Sequence, residues 1–431
     1  MSFHILGFGA IGGLVSYYLR AAIPKKFPLY VLHRSHDAAS AALSRSPVVT
    51  LERDGADSTS GPLVHESFAK YKELALPHDH MPALATKDRF LEAQIRKRWQ
   101  AFTRSNVTTH PFSIQTLIVA TKAHQVKHAM KTLQPRLSAD STIVLLNNGM
   151  GVYEMLVDQF FPDPATRPHF VLSVNTHGAF VKKPGHVIHA GVGALKLGIV
   201  PDPRGRDYEK SIRTNADIPG VLRLSDICKF GLDRSEQRYQ SLRRTIAALT
   251  NASGLNASWV PLYDVQMAMR RKLVVNAVIN PVTALIGCKN GALLERDGNF
   301  LIKIVCHEAS RIFYAQWRAE TQAASLLASK EERASVLETC FPRELRTSSL
   351  IEECMRVAKA TAHNRSSMLS DVIKGARHTE IDFITGYLVA LAKKYDVQVS
   401  AIAILHHLVS MRSAIPIQDS MFKNALSNTT T

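Results

Sequence analysis

Phe3-His4-Ile5-Leu6-Gly7-Phe8-Gly9-Ala10-Ile11-Gly12 stands at the start of the chain, and its reading decides the fold. Residues 3–6 read as a short buried strand, and the stretch from Leu14 to Leu19 reads as a helix. Between them lies Gly-x-Gly-x-x-Gly. Glycine allows the tight turn and lets backbone come close to a pyrophosphate, while the helix N-terminus supplies N–H donors and the positive end of its dipole. The motif alone is weak, but a strand before it and a helix after it form the setting it needs. Gly7, Phe8, Gly9, Ala10, Ile11 and Gly12 are therefore expected to cradle a dinucleotide; the competing reading is a merely structural glycine turn.

Working outward, short apolar runs recur at 29–33, 116–120, 142–146 and 169–174. Continuous apolar runs of this length suit strands buried on both faces of a parallel sheet. Their alternation with helical stretches predicts an α/β, doubly wound, Rossmann-type domain. At 183–200 glycines punctuate Val, Ile and Leu, which predicts antiparallel strands with tight turns. A helix over about 236–253 and a strand over about 255–260 would close the domain, and beyond Pro261 the pattern is helical almost throughout. The expected division is residues 1–260 for the Rossmann-type domain and 261–431 for an all-helical C-terminal domain. Two insertions are expected, near 70–112 and at 201–233; the first holds a basic amphipathic stretch from Arg89, and the second is polar, proline-rich and expected to be exposed.

Composition narrows the function classes. Apolar residues make up 46% and charged residues 21% of the 431, the balance of a globular protein. No apolar run reaches the roughly 18 residues of a membrane span. The five cysteines are scattered and never form C-x-x-C, which argues against a disulfide framework and a structural zinc site; no metal is expected. The net charge of +17 suits polyanionic partners, but it is spread along the chain, so a generic solvated surface is the favoured reading and no nucleic acid is expected. Neither end carries an evident targeting signal, so a cytoplasmic protein is expected, with the mitochondrial matrix as the alternative.

Two signals bear on chemistry. After the second strand, Arg34 stands where an enzyme preferring NAD would usually place Asp or Glu, and its guanidinium suits a 2′-phosphate. Lys25, Lys26 or His33 would supply part of the same charge. Farther on, Lys272, Asn276 and Asn280 recur at i, i+4 and i+8, hence on one face of an otherwise apolar helix. A buried lysine and two buried amides are costly without partners. A substrate rich in oxygen atoms would provide them, and so would an internal network between helices. Asn147-Asn148-Gly149-Met150-Gly151 follows a buried strand, at the edge where open α/β sheets bind ligands. Glu380 would orient a lysine or cap a helix.

Together these residues resemble the ketopantoate reductase family, and its fungal members in particular. The resemblance rests on the glycine motif, Thr121-Lys122-Ala123, Asn147-Asn148-Gly-Met-Gly, Thr176-His177-Gly178-Ala179, Lys272-x3-Asn276-x3-Asn280-Pro281, Asn290-Gly291, Ser366-Ser367-Met368 and Thr379-Glu380-Ile-Asp. It implies NADP as cofactor and reduction of 2-dehydropantoate to pantoate, toward pantothenate and coenzyme A. Lys272 would be the general acid, with Glu380 beside it. Asn276, Asn280, Asn290 and Ser367 would hold the small 2-oxo acid, and Asn148 would touch both substrate and cofactor. Lys122, Ala179 and Glu380 would lie along the cofactor or beside the lysine. A lysine near its ordinary value of about 10.4 would stay protonated at neutral pH. The stretch from Ser367 to Glu380 is one residue longer than the family spacing, so either Ser366 or Ser367 would face the substrate. A monomer or homodimer is expected. The alternatives are a reductase of another branched 2-oxo acid, and an RNA-binding or regulatory protein on the same fold.

Overall fold

The computed structural model describes residues 2–45, 47–68, 113–213, 221–229, 234–329 and 339–415, with 84–85, 89–90, 93–94, 97 and 333. The insertion expected near 70–112, including its basic stretch, lies almost wholly outside the described residues. The chain divides into two compact units: Met1–Asn147 with Val152–Gln266, and Asn148–Gly151 with Met267–Thr431.

The first unit is built on a nine-stranded sheet. Its strands are β1 (Phe3–Leu6), β2 (Leu29–His33), β5 (Val64–Ser67), β6 (Leu84–Ala85), β7 (Thr116–Val119), β8 (Thr142–Leu145), β9 (His169–Asn175), β12 (Leu195–Ile199) and β13 (Ala257–Trp259). Their order is β13-β12-β9-β8-β7-β1-β2-β5-β6. From β9 through β8, β7, β1 and β2 to β5 every pairing is parallel. Parallel strands need crossovers, supplied here by α1 (Ala10–Ala22), α2 (His36–Arg45), α3 (Ala123–Leu133) and α4 (Val152–Phe160). With helices as crossovers the strands are buried on both faces, and Phe3, Ile5, Val31, Leu117, Ile118 and Val144 are fully buried. This is the Rossmann-type architecture that the strand–helix alternation implies.

A second sheet has four strands in the order β10-β11-β3-β4, formed by β3 (Thr50–Arg53), β4 (Ala56–Thr59), β10 (Gly178–Lys183) and β11 (His186–Gly191). The antiparallel strands expected over 183–200 thus divide between sheets: β11 pairs with β10 here, whereas β12 lies antiparallel to β9 in the main sheet. The stretch 201–233 is not simply exposed. Tyr208, Ile227 and Cys228 are buried in the core of the unit, near α5 (Lys210–Arg213), α6 (Leu224–Ile227) and α7 (Gln240–Thr250). Burial of these apolar groups outweighs the polar character of their neighbours; residues 214–220 and 230–233 lie outside the described residues.

In the second unit all described regular elements are helical: α8 (Leu262–Ile286, beginning in the first unit), α9 (Arg296–Leu327), α10 (Thr347–Ala360), α11 (Ser367–Ile373), α12 (Ile381–Lys394) and α13 (Ala401–Ala414). Val274, Val278, Ile302, Val305, Ile312, Leu388 and Val409 belong to its core. Among the described residues, no helix is long and apolar enough to cross a membrane.

One buried carboxylate pins α13 to α9. Glu308 Oε1 accepts from the N–H groups of Ser400 and Ala401 at 2.8 and 2.9 Å, and Oε2 accepts from Ile402 N–H at 2.9 Å. A helix leaves its first N–H groups unpaired and its N-terminus positive, so a carboxylate from a neighbouring helix satisfies both. Glu308→Ala should therefore cost about 1–3 kcal/mol, the penalty of an orphaned buried donor. Urea unfolding followed by helical circular dichroism measures it, and an unshifted midpoint would mean that water replaces the carboxylate.

Candidate functional site

In the first unit the glycine motif is the turn between β1 and α1. Neighbours of β1 are β2 on one side and β7 on the other, so the turn lies where the strand order reverses, the place where open α/β sheets bind ligands. Gly7 has φ +99°, and a Cβ there would lie 2.5 Å from Thr121 N. A Cβ on Gly12 would lie 1.8 Å from Gly7 O. These two glycines are required by the turn itself. Gly9 differs, because a Cβ there would meet nothing within 4 Å. A side chain at Gly9 would instead fill the open space in front of the helix end. Gly9 is the N-cap of α1, the first turn contains no acidic residue, and the bond from Gly13 N–H to Gly9 O is 2.8 Å. The N–H groups before Gly13 thus face an open, electropositive cradle, which fits a pyrophosphate.

Around the cradle, Phe8 packs edge-on against His33 and His65 at centroid distances of 6.1 and 5.8 Å. His33 Nε2 and His65 Nδ1 are 2.9 Å apart. Burial lowers His33 to about 4, with the positive charge of Arg45 assisting. Burial thus favours the neutral imidazole at physiological pH. Arg34, the next residue, is exposed. Lys122 is the N-cap of α3, and Ala179 lies half-buried in β10 opposite His189. Asn147 Nδ2 donates to Thr121 O at 2.6 Å, tying the loop after β8 to the one after β7.

The polar ladder belongs to the second unit. Lys272 Nζ donates to Asn148 Oδ1 at 2.9 Å, and Asn148 Nδ2 makes a long contact of 3.5 Å with Glu380 Oε2. This orientation lets the amide oxygen face the ammonium and the amide nitrogen face the carboxylate. Glu380 is only 4% exposed and sits at the N-cap position of α12. Asn148 is placed by its own loop: Met150 N–H donates to Phe383 O at 2.8 Å, and Gly149 has φ +81°. A Cβ on Gly149 would lie 2.2 Å from Phe383 O, so only glycine fits against α12 there. Burial pulls Lys272 down to about 8, while the negative charge of Glu380 pushes it back up. The ordinary lysine value expected from sequence is thus corrected by desolvation, yet the ammonium still predominates at pH 7.

Asn276 is half-buried and Asn280 is buried. Among the described residues neither side-chain amide has a protein hydrogen-bond partner, so the alternative of an internal helix–helix network accounts for Lys272 but for neither asparagine. Asn290 is anchored by its Nδ2, which donates to Thr361 Oγ1 at 2.9 Å, while its buried Oδ1 has no partner among the described residues. Of the two serines, Ser366 is committed to structure. Its Oγ accepts from Leu369 N–H at 3.0 Å as the cap of α11 and lies 2.7 Å from Thr283 Oγ1. Ser367 is exposed. Thr283 follows Asn280 by three residues and so continues the same helix face, a spacing that marks it in the sequence.

Two family models match the chain: "Ketopantoate reductase PanE/ApbA" over residues 73–202 and "Ketopantoate reductase PanE/ApbA C terminal" over residues 264–413. A probable 2-dehydropantoate 2-reductase of Schizosaccharomyces pombe is 29% identical over 66% of this chain and 70% of its own. The 2-dehydropantoate 2-reductase of Salmonella typhimurium is 30% identical over 70% of this chain and 75% of its own. Among solved structures, the ternary complex of D-mandelate dehydrogenase with NADH and anilino(oxo)acetate shares the fold, with a TM-score of 0.62 at 15% identity over 99% of both chains. The glycine cradle, the lysine–asparagine–glutamate cluster and the matches over both halves lead to one assignment: the chain belongs to the ketopantoate reductase family.

Proposed function

We propose that this protein reduces 2-dehydropantoate to pantoate with NADPH. Family membership supports the reaction, and the state of the polar ladder carries it. Lys272 donates to Asn148 and has its charge favoured by Glu380, while the Asn276 and Asn280 amides on the same helix face have no protein partner among the described residues. Two amides offer donors and acceptors suited to a carboxylate and a hydroxyl.

When bound, the nicotinamide supplies the hydride that reduces the ketone carbon. The residues of the chain do the rest. Gly7 through Gly12 would hold the pyrophosphate on the end of α1, Arg34 would pair with the 2′-phosphate, and Lys122 and Ala179 would line the cofactor. Asn276, Asn280, Asn290 and Ser367 would fix the substrate oxygens, and Asn148 would contact substrate as well as cofactor. Reduction places negative charge on the ketone oxygen, and Lys272 Nζ would stabilise that charge and deliver its proton there. Solvent would then reprotonate the amine.

Purified protein should oxidise NADPH with 2-dehydropantoate in preference to other branched 2-oxo acids. Turnover of another 2-oxo acid with none of 2-dehydropantoate would replace the substrate assignment. Lys272→Ala should lower turnover by about 10²–10⁴-fold, the usual worth of a positioned acid, and near-normal turnover in the folded variant would remove Lys272 from the chemistry.

The pH profile is a second check. Desolvation makes the proton leave Lys272 at lower pH than usual, so the acid is present below about pH 8 and lost above it. Because Glu380 raises this value, Glu380→Gln should shift the falling limb of kcat/KM to lower pH. A limb near the ordinary lysine value, or one that does not move in Glu380→Gln, contradicts the account.

Binding separates the remaining roles. Asn276→Ala and Asn280→Ala should raise KM for the 2-oxo acid and leave the NADPH dissociation constant nearly unchanged; a main effect on NADPH would reassign that helix face. Arg34→Ala should weaken NADPH binding roughly ten- to a hundredfold, since charge-assisted hydrogen bonds are worth about 1.5–3 kcal/mol each. NADH binding should be almost untouched. Equal losses for the two cofactors, measured at one salt concentration, would mean that Arg34 does not read the 2′-phosphate.

A further inference from the structure

The small sheet brings together three ligating side chains that the reductase chemistry does not use. Glu52 on β3 and Asp57 on β4 are direct cross-strand partners in an antiparallel pair. Like charges directly opposite one another destabilise a sheet unless positive charge lies between them. His186, on β11, is only 5% exposed. Its Nε2 lies 3.3 Å from Glu52 Oε2 and 3.2 Å from Asp57 Oδ1, shared between the two carboxylates and well aligned with neither. One ligand atom from each of the three residues falls within 4.8 Å of the others.

We propose that Glu52, Asp57 and His186 form a site for a divalent cation of the zinc class. Metal–ligand bonds of about 2.0–2.2 Å set neighbouring ligand atoms in a tetrahedron roughly 3.3–3.6 Å apart. The two separations from His186 Nε2 are close to that edge length, and longer than the usual N–H···O distance of about 2.9 Å. One imidazole and two carboxylates are a donor set that zinc accepts, with water completing the tetrahedron. The expectation of no metal rested on the cysteines, and this site uses none of them.

Lys182 is the resident competitor. Its Nζ is 2.6 Å from Glu52 Oε2, and its side chain is 52% exposed, so it is free to swing into solvent when a cation takes that oxygen. The cation would then clamp the β3–β4 hairpin to β11, joining three strands through one centre.

The test is calorimetric titration of the chelator-treated full chain with zinc chloride, alongside thermal unfolding with and without zinc. Wild type should bind one zinc ion at this site and unfold at higher temperature when it is present. Asp57→Asn changes an exposed group and should preserve the fold while weakening this binding tenfold or more and abolishing the thermal shift; His186→Asn should do the same. Lys182→Ala should bind zinc at least as tightly as wild type. The absence of zinc binding in wild type, or equal affinity in Asp57→Asn, would overturn the proposal. The second result would place the metal on other histidines.

Discussion

A charged ammonium inside protein is the constraint on which the second unit depends. Removing Lys272 from water favours loss of its proton, and the Glu380 charge opposes that loss. The outcome, about 8, suits the general acid proposed for this lysine. A general acid works best when its pKa lies near the working pH, where it is both protonated and willing to give the proton up. An ordinary solvated lysine is protonated but a poorer donor. Asn148 completes the balance by offering its amide oxygen to the ammonium. That position in turn depends on Gly149, because only a residue without a Cβ can lie against the Phe383 carbonyl. The Asn-Asn-Gly-Met-Gly stretch is therefore a device for setting one amide beside one lysine.

The chain shows unevenly in its sequence. Strands β1, β2, β7, β8 and β9 are legible because parallel strands buried on both faces are continuously apolar. Strand β5 has the same surroundings but reads Val-His-Glu-Ser, so it carries no such signal. Its Glu66 is tolerated because Arg136 Nη1 lies 2.9 Å away in the same interior. Pairing across many residues is invisible to a local pattern. Strand β4 fails for the opposite reason: it is exposed throughout, so no hydrophobic period marks it. At the site, the spacing of Lys272, Asn276 and Asn280 was legible because helix geometry repeats. The lowered lysine value was not, since it depends on burial in three dimensions. Nor was the commitment of the Ser366 hydroxyl to the cap of α11 and to Thr283.

The excess positive charge also takes on a different meaning once its partners are seen. Arg20 is buried, and its guanidinium donates to the carbonyl oxygens of Phe27, Ile23 and Pro24 at 2.8–2.9 Å. Arg238 is buried too, and donates to the carbonyls of Ala165 and Arg167. Arg243 donates to Cys228 O, and Arg206 forms a two-point contact with Glu236 while lying 3.8 Å from the centre of the Tyr239 ring. A guanidinium has five donors in a rigid fork, which suits it to closing chain turns through carbonyl oxygens. Each such arginine raises the formal charge without offering a solvated cation to a phosphate backbone. These arginines clamp loops within the first unit, so that part of the net charge reflects how its loops are held and does not describe a polyanion-binding face.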